Sequence, residues 1–317
     1  MLRRFALAAA LLVSTASRAQ PPAAAANGSI LAQAPCAFPS FEQTSSFTRR
    51  YYSSGEYAAA IANPAVECLR IQYASDGLNV FGFLVRPRAS GAVRYPVIVY
   101  NRGGFRDIGK IDAWNLIDFY GFASSGFVVL ASQYRGSDGG EGQDEVGGAD
   151  VADVMALAQL ARQLPYVDPE KLFLYGLSRG GMMSFLALKQ GFPAKAAAVV
   201  GAVFDLEAFG RRSPDMLKRA VRSIPDYENQ GAALLRARSA MNWPEEINVP
   251  VLIIHGAEDE DVPATEAMAF ATKLALLRKR YQLIVYAGDV HEVAVNRRDR
   301  DARIVAWFRA LAPRVAQ

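Results

Sequence analysis

The clearest indication of the fold is the segment Leu172-Phe173-Leu174-Tyr175-Gly176-Leu177-Ser178-Arg179-Gly180-Gly181. Its first four residues are apolar, as in a strand that is buried on both faces. A helix-like segment, residues 182–189, follows, so Ser178 falls in a tight turn between a strand and a helix. This is the context that the nucleophile-elbow motif Gly-x-Ser-x-Gly requires. The alternative is an ordinary strand-to-helix turn.

The glycines of this turn have a steric reason. A turn that forces Ser178 into a strained backbone conformation leaves no room for a Cβ at Gly176 or Gly180. Ser178 would then lie at the N-terminus of a helix, where free N–H groups favour a developing oxyanion. We therefore predict that Ser178 is a catalytic nucleophile.

Short apolar runs recur on both sides of the turn and alternate with helical periodicities. The predicted strands are residues 66–73, 80–85, 97–100, 127–131, 172–175, 197–203, 251–254 and 283–286, the first two joined at the turn dipeptide Asp76-Gly77. The predicted helices follow the i, i+3, i+4 rule from Val151, from Ala267 and from Ile304. This order predicts an α/β fold of the α/β-hydrolase type, with a mostly parallel central sheet flanked by helices. A basic insertion at about residues 207–246 interrupts the alternation, and we expect it to form a small helical cap.

The other two members of a catalytic triad are expected after late strands. The sequence has only two histidines, and His291 follows the strand 283–286, so its ring could reach Ser178. His255 precedes Asp259 by four residues and is interpreted as structural, bonding within its own loop. Asp259 is the preferred triad acid and Asp261 the alternative, since an acidic residue must reach the histidine from a strand end. The order Ser178, Asp259, His291 is that of an α/β-hydrolase.

The oxyanion hole is predicted from two places in the chain. One donor is the backbone N–H of Arg179, directly after the nucleophile. The other comes from the loop Tyr100-Asn101-Arg102-Gly103-Gly104-Phe105, whose glycine pair permits close approach of the backbone to a ligand. We expect Arg102 and Gly103 to contribute there, with Arg102 binding a substrate carboxylate or supporting the oxyanion. The alternative is a simple turn at the end of a strand.

The N-terminal residues have the pattern of an export signal. Arg3 and Arg4 precede an apolar stretch at residues 5–13, and Ser17-Arg18-Ala19 offers a cleavage site, although an uncleaved anchor or a mobile tail is the alternative. Loss of residues 1–19 removes three of the 35 basic residues and leaves 32 against 31 acidic ones. A mature net charge near +1 gives no electrostatic case for binding nucleic acid or a membrane surface. We thus expect an exported protein, periplasmic or extracellular, with a signal at 1–19, a leader and arm at 20–65, of which 20–35 is a flexible leader, and a catalytic domain at 66–317.

The two cysteines, Cys36 and Cys68, both lie before the catalytic core. In an oxidising compartment they could form one disulfide that ties down the N-terminal arm; two free buried thiols are the alternative. Neither has the spacing of a metal ligand, and we expect neither a metal nor an organic cofactor. The sequence makes no prediction of the oligomeric state.

At these motifs the chain resembles the catalytic domain of the prolyl oligopeptidase family of serine peptidases. The matching residues are the Gly-x-Ser-x-Gly-Gly elbow at 176–181, Tyr134-Arg135-Gly136-Ser137-x-Gly139-x-Glu141-Gly142, His255-Gly256-x-x-Asp259-x-x-Val262-Pro263 and Gly288-x-x-His291. The resemblance extends over residues 66–311. It implies that Ser178, Asp259 and His291 are the triad and that the substrates are peptides.

The chain departs from that family in two respects. Family members commonly carry an N-terminal β-propeller that restricts access to short peptides, and this chain has no room for one. The family often has Tyr or His where Arg102 stands. We therefore expect an exported serine hydrolase that cleaves peptide bonds through an acyl-enzyme. The alternatives are a carboxylesterase for small esters or acylated sugars and a non-catalytic binding protein.

Overall fold

A single nine-stranded sheet organises the part of the chain that the computed structural model describes, residues 25–88 and 93–312. The predicted signal at 1–19 lies outside these residues. The strands are β1 (Ile30–Pro35), β2 (Val66–Ser75), β3 (Leu78–Pro87), β4 (Tyr95–Asn101), β5 (Val128–Ser132), β6 (Val167–Leu177), β7 (Ala194–Val200), β8 (Val251–Gly256) and β9 (Tyr281–Tyr286). Their order is β1-β2-β3-β5-β4-β6-β7-β8-β9. β1, β2 and β3 pair antiparallel, as do β3 and β5, and the pairs from β5 to β9 are parallel.

Helices cover both faces of the sheet. Within the described residues they are α1 (Ser46–Tyr51), α2 (Ser54–Ile61), α3 (Ala113–Ser124), α4 (Val151–Gln163), α5 (Arg179–Lys189), α6 (Leu206–Arg212), α7 (Pro214–Val221), α8 (Tyr227–Arg238), α9 (Ala264–Leu276) and α10 (Arg297–Leu311). α4, α5 and α9 pack their apolar sides on one face, while α3 and α10 cover the other. This arrangement confirms the α/β-hydrolase fold that the alternation predicted. Every residue of β5 and of β8 is buried, as expected of strands covered on both sides.

The insertion between β7 and β8 is helical. It holds α6, α7 and α8 and two short 3₁₀ turns that end at Glu246. Its apolar residues, among them Leu206 and Ala220, join the core on the face of α4 and α5. The predicted cap therefore packs on the sheet near the carboxyl ends of the strands, where α/β folds bind their ligands.

The expectation that residues 20–35 form a flexible leader is wrong for their last part. Ile30–Pro35 is β1, which pairs antiparallel with the edge of β2. Cys36 and Cys68 form a disulfide directly after this pairing, which is the bridged one of the two alternatives that the sequence left open. We refer to the following segment, residues 36–65, as the arm. Pairing and bridge together hold both ends of the arm on the sheet.

Among the described residues, no helix has the combination of length and apolar character that spanning a bilayer requires.

Candidate active site

Ser178 occupies the turn between β6 and α5 in a strained conformation. Its φ is 56° and its ψ −123°, a region that residues with a side chain seldom occupy. The turn is held by the neighbouring strand, because the Ser178 N–H donates to the Val200 carbonyl at 2.9 Å. Strain of this kind persists only where the surrounding structure supports it, and it is concentrated at functional sites.

The glycines around Ser178 make this turn possible. A Cβ on Gly176 would overlap the carbonyl of Gly180, and a Cβ on Gly180 would overlap the carbonyl of Asn101. On the facing loop, a Cβ on Gly103 would lie 3.1 Å from the Cβ of Ser178. The structure thus gives the steric reason for the elbow motif and for a glycine opposite it.

Asp259 and His291 meet at the carboxyl ends of β8 and β9. His291 Nδ1 donates to Asp259 Oδ2 at 2.7 Å. The other carboxylate oxygen of Asp259 accepts from the backbone N–H groups of Asp261 and Val262, at 3.0 and 2.8 Å. Asp261, the alternative acid, has an exposed side chain. The described geometry therefore pairs the histidine with Asp259.

His255 is buried beside the same carboxylate. Its Nε2 lies 2.7 Å from the Val262 carbonyl oxygen and 3.0 Å from Asp259 Oδ2. Both oxygens are acceptors, so Nε2 carries the ring hydrogen. The interpretation of His255 as bonding within its loop agrees with this geometry, but its contact with Asp259 has no signal in the sequence.

The pKa values of Asp259 and His291 move in opposite directions. Burial acts to raise the pKa of Asp259, but hydrogen bonds from His255 and His291 outweigh it and hold that pKa well below its usual range. Burial acts to lower the pKa of His291, but the hydrogen bond and negative charge of Asp259 raise it above the ordinary value of 6.5. Asp259 is therefore a carboxylate at neutral pH, and it makes His291 a stronger base.

Two residues that the sequence analysis did not single out shape the histidine loop, the segment 287–296 between β9 and α10 that carries His291. Asp289 is fully buried, and its carboxylate accepts from the backbone N–H groups of Val295 and Asn296, at 3.2 and 2.9 Å. Gly201 lies directly after β7 with a φ of 52°, and a Cβ there would lie 3.0 Å from His291 Nδ1. The position of Asp289 within Gly288-x-x-His291 was the available signal for that residue. Gly201 fell inside the predicted strand 197–203, so no sequence signal pointed to it; the structure ends β7 at Val200.

The structure corrects the hypothesis about the side chain of Arg102. This side chain is fully buried, and its guanidinium donates to the carbonyls of Gln133, Gly103 and Ile108 at 2.8–3.1 Å. It also donates to the Arg106 carbonyl at 2.5 Å and to Ser137 Oγ at 3.0 Å. These acceptors occupy all the N–H groups of the guanidinium, so none remains to bind a substrate carboxylate. Arg102 instead holds the loop that carries Gly103.

Arg179 joins the elbow to two other loops. Its buried guanidinium donates to both oxygens of Asp144 at 2.8 Å, to the Gly104 carbonyl at 2.8 Å and to Asp150. Asp144 also accepts from the backbone N–H of Arg106 at 2.7 Å. The side chain of Arg179 is thus structural, and its backbone N–H, at the start of α5, is the part that lies beside Ser178.

One cavity of about 450 Å³ brings these groups together. Ser178, Arg179, Gly103 and His291 line it, whereas Arg102 does not. Its other walls are mainly apolar and come mostly from the cap, the loop after β4 with the start of α3, and the arm. The volume is in the range of sites for drug-sized ligands.

The described residues contain one group of possible metal ligands, Asp259, Asp261 and His291, whose ligand atoms lie within 4.8 Å of one another. Two of its members already bond to each other, since His291 donates to Asp259. The group therefore contains the hydrogen-bonded pair Asp259 and His291 together with Asp261.

This fold and site define an α/β-hydrolase with a serine at the nucleophile elbow. Comparison with known proteins assigns it further: residues 115–313 match the sequence profile of the prolyl oligopeptidase family, Peptidase_S9. An uncharacterized peptidase of Bacillus subtilis, YtmA, is 30% identical over 246 residues, which cover 77% of this chain and 94% of YtmA. The chain belongs to the prolyl oligopeptidase family and is a serine-type peptidase.

Other relatives are longer than this chain. The acylamino-acid-releasing enzyme of Sus scrofa is 26% identical over 271 residues, which are 80% of this chain and 36% of that enzyme. A puromycin-hydrolyzing peptidase of Mycobacterium tuberculosis superposes with a TM-score of 0.66 at 23% identity, covering 78% of this chain and 40% of that one. The Pyrococcus horikoshii acylaminoacyl peptidase gives 0.66 at 22% identity, covering 80% and 43%. The match is to the α/β domain, and the described residues contain no β-propeller.

Proposed function

We propose that Ser178, Asp259 and His291 form the catalytic triad of a peptidase that works through an acyl-enzyme. The observation that carries the proposal is the 2.7 Å hydrogen bond from His291 to Asp259 at the cavity that Ser178 lines from a strained elbow. The order and roles match those of a serine hydrolase.

In this mechanism Ser178 Oγ attacks the carbonyl carbon of the scissile amide while His291 Nε2 takes its proton. Asp259 accepts a hydrogen bond from Nδ1–H, keeps the ring in the required tautomer and stabilises the imidazolium. The backbone N–H groups of Arg179 and Gly103 would bind the oxyanion, because both residues line the cavity beside Ser178. His291 then gives the proton to the leaving amine, and water releases the acyl group by the same steps.

We propose short peptides, cleaved near their N-termini, as substrates. Support comes from the names of relatives, which include an acylamino-acid-releasing enzyme and dipeptidyl peptidase 8 of Homo sapiens, 26% identical over 233 residues. The cavity of about 450 Å³ suits a group of a few residues rather than a folded protein.

The test combines labelling with turnover. A fluorophosphonate reacts only with an activated serine, so we expect labelling of the wild type and of Ser213→Ala, and none of Ser178→Ala. Ser213 is the matched control, because it also lines the cavity. Labelling of Ser178→Ala would contradict the assignment of the nucleophile.

Substrate class is tested with paired aminoacyl amides, acyl-aminoacyl amides and short-chain acyl esters. We expect amide cleavage that is lost in Ser178→Ala. Cleavage of esters alone would contradict the peptide assignment and favour a carboxylesterase.

We also propose that the protein is exported. The basic and apolar N-terminal pattern supports this, and so does the Cys36–Cys68 disulfide, because such bonds persist in oxidising compartments. The test is the N-terminal sequence of protein isolated from the exported and cytoplasmic fractions of its cells. We expect exported protein that begins at Gln20, and full-length protein confined to the cytoplasm would contradict the proposal.

A further inference from the structure

The arm reaches the substrate cavity although it lies far from the triad in sequence. Ser45 and Phe47, at the start of α1, line the cavity that also contains Ser178 and His291. Cap residues, including Phe209, line the same cavity. The cavity thus has one wall from the cap and one from the arm.

Phe47 is held in this wall by an aromatic cluster. Its ring centroid lies 4.6 Å from that of Trp114, in an edge-to-face arrangement, and 4.9 Å from that of Tyr51. Trp114 is buried at the start of α3, and Tyr52 packs on it at 5.0 Å. Edge-to-face packing of this kind fixes the relative orientation of rings. Phe47 is therefore a well-supported apolar surface of the cavity that Ser178 and His291 also line.

Contacts outside the cluster hold the arm against the catalytic domain. Tyr52 donates to Asp118 of α3 at 2.8 Å, and Arg297 of α10 bonds to Glu56 at 3.2 Å. The disulfide between Cys36 and Cys68, which lie 32 residues apart in the chain, closes the base of the arm. The arm is thus tied at its base, at α1 and at α2.

We infer that Phe47 is a specificity-determining residue that binds an apolar or aromatic group of the substrate against the arm. The inference rests on the proposed function, because the bound group belongs to the peptide that Ser178 attacks. The arm supplies a part of the cavity lining that is separate in sequence from the cap. The arm contributes none of the residues proposed for the triad or the oxyanion hole, so Phe47 selects substrates without taking part in the chemistry.

The experiment measures KM and kcat of Phe47→Ala with amide substrates that carry Phe, Leu or Ala side chains. We expect KM to rise on the order of tenfold for the Phe and Leu substrates, with kcat within about twofold, since lost uniform binding raises KM alone. The KM of the Ala substrate should change little. Phe41→Ala is the matched control, because Phe41 packs in the arm on Tyr57 at 5.7 Å and does not line the cavity. This control should retain the wild-type KM for all three.

Phe47→Leu serves if Phe47→Ala does not fold, and should raise KM for the Phe substrate more than for the Leu substrate. Unchanged KM values in the Phe47 variants, or an equal rise in Phe41→Ala, would overturn the inference. Fluorophosphonate labelling of each variant reports the proposed chemistry separately. A labelled variant with unchanged KM refutes only the role of Phe47, whereas an unlabelled wild type refutes the proposed function.

Discussion

At the scale of single residues, the backbone of Ser178 stores strain. A positive φ on a residue with a Cβ costs about 1–3 kcal/mol, which the surrounding contacts must offset. The hydrogen bond to Val200 and the close packing of Gly176 and Gly180 do so here. The side chain is thereby presented to the cavity rather than to the core.

The raised pKa of His291 predicts how activity depends on pH. A proposed general base works only when neutral, and a raised pKa means that the ring keeps its proton to a higher pH. We therefore expect kcat/KM to fall on the acidic side through a pKa above the ordinary 6.5. Asp259→Asn removes the charge that raises this pKa, so the acidic limb should move to lower pH while kcat falls on the order of 10⁴-fold.

Asp261→Asn is the comparison for that measurement, because the Asp261 carboxylate also lies within 4.8 Å of His291, whereas the hydrogen bond from His291 goes to Asp259. It should keep kcat within about threefold, because Asp259 still orients the ring. A large loss in Asp261→Asn together with an active Asp259→Asn would transfer the role of the acid to Asp261.

His255 gives a second prediction at this scale. It donates from Nε2 to the carboxylate of Asp259 and to the Val262 carbonyl. His255→Leu should lower kcat about tenfold and destabilise the fold by about 1–3 kcal/mol, because a buried acceptor loses its donor. His255→Gln keeps an amide N–H and should recover most of both. Steady-state kinetics measure kcat and urea unfolding measures the stability of the two variants. Equal losses in both variants would contradict a hydrogen-bonding role.

The hydrogen-bond partners of Arg102 could not be predicted from the sequence. Its position before a glycine pair and its five donors suggested a ligand for an anion. Its acceptors include the carbonyls of Gln133 and Ile108, which only the fold brings together. A side chain's partners are not a property of its neighbours in sequence.

At the scale of elements, the elbow is supported by the loop after β5. Arg179 at the start of α5 bonds to Asp144, and Asp144 in turn accepts from the loop that carries Gly103. The pair is buried, so each charge depends on the other. This contact couples the turn at Ser178 to the loop that carries Gly103, the second donor of the proposed oxyanion hole.

Removal of Asp144 should therefore affect both stability and reactivity. We expect Asp144→Ala to lower the free energy of unfolding by about 3–5 kcal/mol, since it leaves the buried Arg179 with less compensation. The rate of fluorophosphonate labelling should fall as well, because the loop at Gly103 loses an anchor. Urea unfolding and labelling kinetics measure the two effects. Asp107→Ala, an exposed acid of the same loop region, should change stability by no more than about 1 kcal/mol; an equal loss there would refute the argument.

Element types followed from the sequence more readily than their pairing. β2 and β3 are joined at Asp76-Gly77 as predicted, and both residues have positive φ, 50° and 77°. The strand β1 was not predicted, because Ile30–Pro35 is alanine-rich and mostly exposed. Its pairing depends on the free edge of β2, which no local pattern specifies.

At the scale of the whole molecule, one buried network joins the arm, both helices of one sheet face and the histidine loop. Arg300 of α10 donates to Asp118 of α3 at 2.6 Å and to the Glu292 carbonyl at 2.8 Å. Asp118 also accepts from Tyr52 of the arm at 2.8 Å. Glu292, the residue next to His291, is therefore held by the same Arg300–Asp118 pair that anchors Tyr52 of the arm.

Arg300→Met should uncouple these parts. Without its partner, Asp118 is left as a buried charge, so we expect the free energy of unfolding to fall by about 3–5 kcal/mol. We also expect kcat to fall, because the loop of Glu292 loses its donor. Arg303→Met is the control on the same helix, where an exposed pair with Asp299 at 3.4 Å should matter by no more than about 0.5 kcal/mol. Thermal unfolding measures the stability of both variants, and steady-state kinetics measure their kcat. Equal losses in the two variants would contradict a coupling role for Arg300.

Three features could be predicted without the structure: the strand–turn–helix at Ser178, the alternation that makes an α/β-hydrolase, and the candidates Asp259 and His291. These follow from local sterics and from periodicity, which act between residues a few positions apart. The assembled fold was needed to show that Arg102 is structural, that His255 contacts Asp259, and that the arm lines the cavity. Those facts depend on contacts between residues far apart in the chain, such as Phe47 and Trp114, and such contacts arise only when the sheet and its helices are assembled.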